Sequence, residues 1–189
     1  IAMACAGAGL SVTLIDASPE ALDKALTAMR ASFERRAARG RMGEDAPQAM
    51  ARITGASHMA ALADCDLIIE AVFEDIDVKE DVFRQIDAVA RLGAVLATNT
   101  SYLDVDRIAA ATARPADVLG LHFFSPAHVM RLLEIVRGRA TAPDVLLTAM
   151  QLARTLGKVG VCVGNCHGFV GNRMLARRQA AADTLILEG

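Results

Sequence analysis

His122 and Glu134 are the residues in this sequence whose types and spacing best suit chemistry. The histidine closes the run Gly120-Leu-His-Phe-Phe124, and the glutamate lies twelve positions later inside the apolar run Leu132-Leu-Glu-Ile-Val136. A carboxylate within an apolar strand needs a partner, because an unpaired buried charge costs several kcal/mol or more. An imidazole suits it: the acid fixes the ring's tautomer and stabilises the imidazolium formed when the ring accepts a proton. The two residues therefore read as a general base with its orienter. They read equally as a structural ion pair or a capped core histidine. No carboxylate stands in comparable relation to His58, His128 or His167, which read as loop or surface residues.

The elements that must position this pair alternate between strand and helix. Ile1 to Ala8 reads as the end of a small-residue helix stopped by Gly9, and Ser11 to Ile15 as a short strand ending at Asp16. Ser18-Pro19-Glu20 then starts a helix that places Leu22, Leu26, Met29 and Phe33 on one face. Arg30, Arg35, Arg36, Arg39 and Arg41 gather toward its far end, before a turn at Gly40 and Gly43, and a second helical stretch is expected near Pro47 to Ile53.

Further strands are expected at Leu67–Glu70, Ala94–Thr98, Val118–Phe123, Leu132–Val136 and Val159–Val163. Helices are expected around Val78, Val82, Phe83 and Ile86 up to Gly93, at Leu103–Thr112, from Pro143 to Leu156, and from Phe169 to Glu188 with Gly189 beyond it. This alternation predicts a doubly wound α/β domain of the Rossmann kind, with a mostly parallel sheet and a helical hairpin insertion. Ligands of such sheets bind beyond the carboxyl ends of the strands, where Asp16, Glu74, Asn99 and His122 fall.

An acid at the tip of the strand after a small-residue helix is what a dinucleotide fold uses to accept hydrogen bonds from ribose hydroxyls, and its charge disfavours a 2′-phosphate. Asp16 therefore points to NAD over NADP, and a helix-capping aspartate is the duller reading. No Gly-x-Gly-x-x-Gly turn precedes the first helix, and Gly7-Ala-Gly9 cannot stand in for it because it follows that helix. The expectation is a domain over 1–167 without its first strand and glycine-rich loop, followed by the first helix of a second, helical domain over 168–189.

Composition narrows the class of partner. A net charge of −2 offers no basic excess for nucleic acid or an anionic membrane, and the apolar opening run is too short for a span, so a small molecule is the expected ligand. With 53% hydrophobic residues over 189 positions a sizeable core is expected. Four cysteines without a CxxC pair read as reduced thiols in a cytosol-like compartment; Cys162 and Cys166 read as buried thiols and not, with His167, as metal ligands, since no fourth ligand is evident. The excess of alanine and arginine hints at a GC-rich bacterial genome.

Four segments carry a resemblance to a known family. They are Asn99-Thr-Ser101, Gly120-Leu-His-Phe-Phe-Ser-Pro126, Val129-Met-Arg-Leu-Leu-Glu-Ile-Val136 and Gly164-Asn-Cys-His-Gly-Phe-Val-Gly-Asn-Arg-Met174. In order and spacing they resemble the signature segments of the L-3-hydroxyacyl-CoA dehydrogenases, and Ser-Pro-Ala-His-Val-Met is similar to the dehydrogenase part of multifunctional fatty-acid β-oxidation enzymes.

The resemblance implies NAD-dependent oxidation of a 3-hydroxyacyl-CoA, with His122 as base, Glu134 as its charge-stabilising partner, and Ser101 and Asn172 orienting the substrate oxygen and the histidine. It implies Asp16 as the ribose-binding acid and Glu74, Lys79 and Asn99 at the nicotinamide end. It places Ser32 and Arg39 near CoA, although a solvated arginine face explains the same cluster. It also implies a dimer or a multidomain enzyme. The alternative is a binding module that holds acyl-CoA or a nucleotide without turnover. Ala176-Arg-Arg178 departs from the proline and aromatic usual after the Asn-Arg-Met-Leu segment.

Overall fold

The computed structural model describes residues 1–40 and 46–188; the expected turn residues Arg41 and Gly43, and Gly189, lie outside the described residues. In chain order the elements are α1 (Ala2–Gly7), β1 (Val12–Ile15), α2 (Pro19–Ala38), α3 (Ala46–Ala51), β2 (Ile53–Ala56), β3 (Leu67–Glu70) and α4 (Ile76–Val89). There follow β4 (Val95–Thr98), α5 (Val105–Ala110), β5 (Val118–Phe123), β6 (Leu132–Arg137), α6 (Pro143–Thr155), β7 (Val159–Gly164) and α7 (Gly171–Glu188).

Local chemistry sets most of these boundaries. The Ser18 hydroxyl accepts from the Ala21 amide and Pro19 opens α2, while Asp75 and Asp104 each accept two amides at the starts of α4 and α5. Gly157 ends α6 with φ 65°, the left-handed conformation that lets the chain turn directly into β7.

Strands β3-β4-β5-β6-β7 form one sheet, parallel except for the antiparallel β5–β6 pair. Side chains of this sheet alternate between two cores, as the two-residue period of a strand requires. Ile68, Leu96 and Val118 pack with Phe83, Ile86 and Ile108 of α4 and α5 on one face. Val95, Ala97, Leu119, Leu121, Leu133 and Ile135 pack with Val145, Ala149 and Ala153 of α6 on the other.

β1 and β2 pair in parallel as a separate two-stranded sheet, covered by α1, α2 and α3 through Met3, Ala6, Phe33, Ala49 and Ile53. Two points correct the sequence reading. Ile53 begins a strand instead of ending a helix, and the strands form two sheets instead of one. The four-residue β2 carries Gly55, where a Cβ would stand 3.0 Å from the Leu26 side chain, so α2 packs directly on the strand backbone.

α7 is the exception to close packing. None of its residues is buried, and Met174, Leu185, Ile186 and Leu187 are exposed.

Candidate active site

The antiparallel register sets His122 directly opposite Glu134. Directly opposed residues of an antiparallel pair project from the same face, so the twelve-residue separation becomes a contact. His122 Nδ1 lies 2.7 Å from Glu134 Oε2, with both side chains buried. The glutamate's other oxygen accepts the Val170 and Gly171 amides at 3.0 and 2.8 Å. Every orientation of this carboxylate is thereby specified by strand, ring and helix entry.

The face that holds the pair also holds Gly120 and Val136. A Cβ on Gly120 would meet the Val136 Cβ at 2.8 Å, so glycine lets β6 and α5 close around this side of β5. The rings of Phe124 and Phe169 stand 4.5 and 5.7 Å from the imidazole. His122 Nε2 has no protein partner. Among the described residues no fully buried side-chain nitrogen or oxygen lacks one, so this nitrogen keeps a small exposed surface on a ring that is otherwise buried. An imidazole fixed at Nδ1 and open at Nε2 can accept a proton from a bound hydroxyl.

Ser101 and Asn172 meet: the Asn172 amide donates to the Ser101 carbonyl at 3.4 Å, and Asn172 follows the Gly171 amide that bonds Glu134. Asn99 sits at the tip of β4, where its Oδ1 accepts the Phe123 amide at 2.9 Å and ties that tip to the residue after His122. Asp16 is exposed at the end of β1. One of its oxygens accepts the Ser18 amide at 2.9 Å, and the other has no protein partner. That open oxygen fits the ribose hydroxyls of a dinucleotide.

Glu74 and Lys79 are placed differently from each other. Glu74 is part-exposed on the loop after β3, whereas Lys79 is wholly buried, with its ammonium 2.6 Å from Glu70 and 3.6 Å from Glu74. Lys79 is thus the buried partner of Glu70, with Glu74 at its outer side. Burial raises the Glu74 carboxyl, but hydrogen bonds from Thr100 and the Ser101 amide, the charge of Lys79 and the Tyr102 amide outweigh it and hold Glu74 below the ordinary range.

Glu70 and Thr98 complete this cluster and were missed in the sequence. Glu70 accepts from Lys79, the Val72 amide and the Thr98 hydroxyl, and is itself buried. The argument that singled out Glu134, an acid in an apolar strand, applies equally to Glu70, with Lys79 nine positions on.

A cavity of about 390 Å³ lies between α2 and the loop after β5, lined by Ser32, Arg35, Arg36, Arg39, His128 and Val129. Ser32 and Arg39 therefore share one basic hollow with His128, which lies, as expected, on a loop, here half-buried. Burial lowers the pKa of His128, and the charges of Arg36 and Lys158 lower it further. Of the four free cysteines only Cys5 is buried; Cys162 and Cys166 are exposed, which corrects the expectation of buried thiols. No described helix is long and apolar enough to cross a membrane.

A parallel-stranded nucleotide-binding fold carrying an acid–histidine pair at its rim defines the class of an α/β dehydrogenase domain. Residues 1–166 match the family described as 3-hydroxyacyl-CoA dehydrogenase, NAD binding domain. The chain belongs to this family, and its cofactor is NAD.

A peroxisomal bifunctional enzyme of Cavia porcellus is 42% identical over 189 residues, covering 100% of this chain and 26% of that protein. The crystal structure of FadB2 from M. tuberculosis superposes with a TM-score of 0.95 at 34% identity, covering 100% of this chain and 67% of that one. That of (S)-3-hydroxybutyryl-CoA dehydrogenase PaaH1 from Ralstonia eutropha gives 0.89 at 36% identity, covering 92% and 62%. The chain spans about a quarter of the length of the peroxisomal relative.

Proposed function

We propose that this chain is the cofactor-binding and catalytic-histidine part of an enzyme that oxidises L-3-hydroxyacyl-CoA to 3-ketoacyl-CoA in fatty-acid β-oxidation. The observation that carries the reading is the 2.7 Å contact between buried His122 and Glu134, with the distal nitrogen of the ring open. A pure binding module has no use for a base with its own orienter.

In this reading the substrate's 3-hydroxyl proton passes to His122 Nε2 while a carbonyl forms at C3. Glu134 stabilises the resulting imidazolium. When bound, the nicotinamide supplies the acceptor for the hydride leaving C3. Ser101 and Asn172 orient the substrate oxygen, Asp16 binds the adenosine ribose, and Asn99 and Glu74 border the nicotinamide end. Lys79 supports that end from below.

Ser32 and Arg39, joined by Arg35, Arg36 and His128, meet the phosphates of CoA in the basic hollow, where charge-assisted hydrogen bonds are available. We assign residues 1–167 to the cofactor domain and 168–189 to the first helix of a second domain; the left-handed turn at Gly168 and Phe169 favours a boundary there. The exposed apolar side chains of α7 fit a helix that packs against a further domain or a second copy in a dimeric or multidomain enzyme. Free cysteines fit a reducing, cytosol-like compartment of a bacterial cell.

The test is NADH absorbance with acetoacetyl-CoA, using the full-length protein beside its His122→Ala variant. Rapid NADH oxidation by the wild type and its loss in the variant are expected. Equal, slow rates for the two would remove the dehydrogenase reading.

A further inference from the structure

Glu74 sits at the border of the proposed cofactor site, yet one of its oxygens is already bound up with the neighbouring turn. Its Oε1 accepts the Thr100 hydroxyl, the Ser101 amide at 2.7 Å and the Tyr102 amide at 3.1 Å. Its Oε2 faces the Lys79 ammonium at 3.6 Å. Its Oε1 is thus committed to the turn, while Oε2 stays part-exposed beside the lysine.

Apart from Glu74, the turn is held by its own bonds and by the Tyr102 ring, 5.2 Å from that of His167. Thr100, itself buried, passes Glu74's hold onward by accepting the Leu103 amide at 2.9 Å and the Tyr102 amide at 3.3 Å. Ser101 has its carbonyl bonded by Asn172 and its amide by Glu74, so these two contacts define its backbone.

Behind Glu74 lies the buried pair. Lys79 is fixed by Glu70 and by the Val72 carbonyl at 3.4 Å, and Glu70 is fixed by Thr98 and the Val72 amide. A buried, fully bonded charge pair is costly to rearrange, so it presents a rigid positive group at one place. The chain of contacts runs from the tips of β3 and β4 through α4 to the loop that carries Ser101.

We propose that Glu74 is a positioning residue, held by the buried Lys79–Glu70 pair, whose carboxylate fixes the Thr100–Tyr102 turn and so aims Ser101 at the substrate beside His122. The inference rests on the dehydrogenase reading for Ser101's task, but the clamp itself rests on the contacts alone. It gives Glu74 a task toward the turn, through Oε1, beside the border position that resemblance implies for it. Carboxylate-to-amide bonds are charge-assisted and stronger than neutral ones, which suits a group that must hold a short turn in one conformation.

The experiment compares wild-type full-length protein with Glu74→Ala and Glu74→Gln. Amide hydrogen exchange at residues 100–103, NADH affinity by fluorescence titration, and kcat with acetoacetyl-CoA are read on each. For Glu74→Ala, exchange at Ser101 and Tyr102 should quicken by about tenfold or more while amides of β5 stay protected, since only local bonds are lost.

Its kcat should fall by about tenfold or more, a larger factor than any accompanying loss of NADH affinity. Glu74→Gln keeps an accepting oxygen and should restore much of both the protection and the kcat. Unchanged exchange at Ser101 and Tyr102 in Glu74→Ala, or exchange unchanged beside a large loss of NADH affinity, overturns the proposal. Exchange reads the clamp whether or not the wild type turns over acetoacetyl-CoA, so a silent wild type defeats the proposed function without deciding the clamp.

Discussion

Glu134 stands across the β5–β6 ladder from His122, in register, with its Oε2 2.7 Å from the ring's Nδ1 and its Oε1 bonded by two amides at the entry to α7. The acid is thus fixed independently of the histidine it serves. Glu134→Gln preserves shape but removes the charge that stabilises an imidazolium. It should lower kcat by about 10²–10⁴-fold with little change in NADH affinity. Steady-state rates and a fluorescence titration on the full-length protein check both parts.

Asp16 has one oxygen free for a ribose. Asp16→Ser removes the charge that repels a 2′-phosphate, so NAD affinity should fall and the NAD-to-NADP preference should shrink by about tenfold or more. Calorimetry with both cofactors measures this. An unchanged preference would show that another group sets it.

Lys79→Ala leaves Glu70 charged and buried without its partner. Breaking such a pair costs about 3–5 kcal/mol. Chemical denaturation should show a midpoint lowered accordingly, and a loss under about 1 kcal/mol would mean that the site is wetter than its packing indicates.

Gly120→Ala forces a methyl against Val136 and Val105 behind the His122 strand. Overpacking of this kind costs about 1–3 kcal/mol. A lower melting temperature is expected, together with reduced kcat, because β5 cannot shift without moving His122 relative to Glu134.

Glu74 titrates below its unfolded value, so its contribution to stability is present above the ordinary glutamate range and is lost as pH falls through the lowered folded value. Once corrected for the intrinsic fall of amide exchange with pH, exchange at Ser101 and Tyr102 should stay slow from neutral pH down through mild acid and quicken only below that range. Acceleration already near neutrality would contradict the depressed titration.

Much of this architecture was legible in the residues. Runs such as Leu67–Glu70 and Val118–Phe123 are apolar on both sides because helices cover both faces of the sheet, and caps such as Ser18 announce their helices locally. The His122–Glu134 contact was legible because an acid in an apolar strand demands a partner. β2 was hidden: it has four residues, includes Gly55, and buries only Ile53, so neither period nor apolar content marks it. The burial of Lys79 and the hollow joining His128 to Arg36 were also hidden, since each depends on which elements meet in space. Glu70 was within reach, and only its position at the strand's end made it look like a tip instead of a buried anchor.

The central claim is that His122 and Glu134 act as one catalytic unit, and a double-mutant cycle on kcat in the full-length protein tests it most directly. If the claim holds, His122→Ala combined with Glu134→Gln is no slower than His122→Ala alone, because the acid acts only through the ring. Losses that multiply would show that the two residues contribute separately and would contradict it.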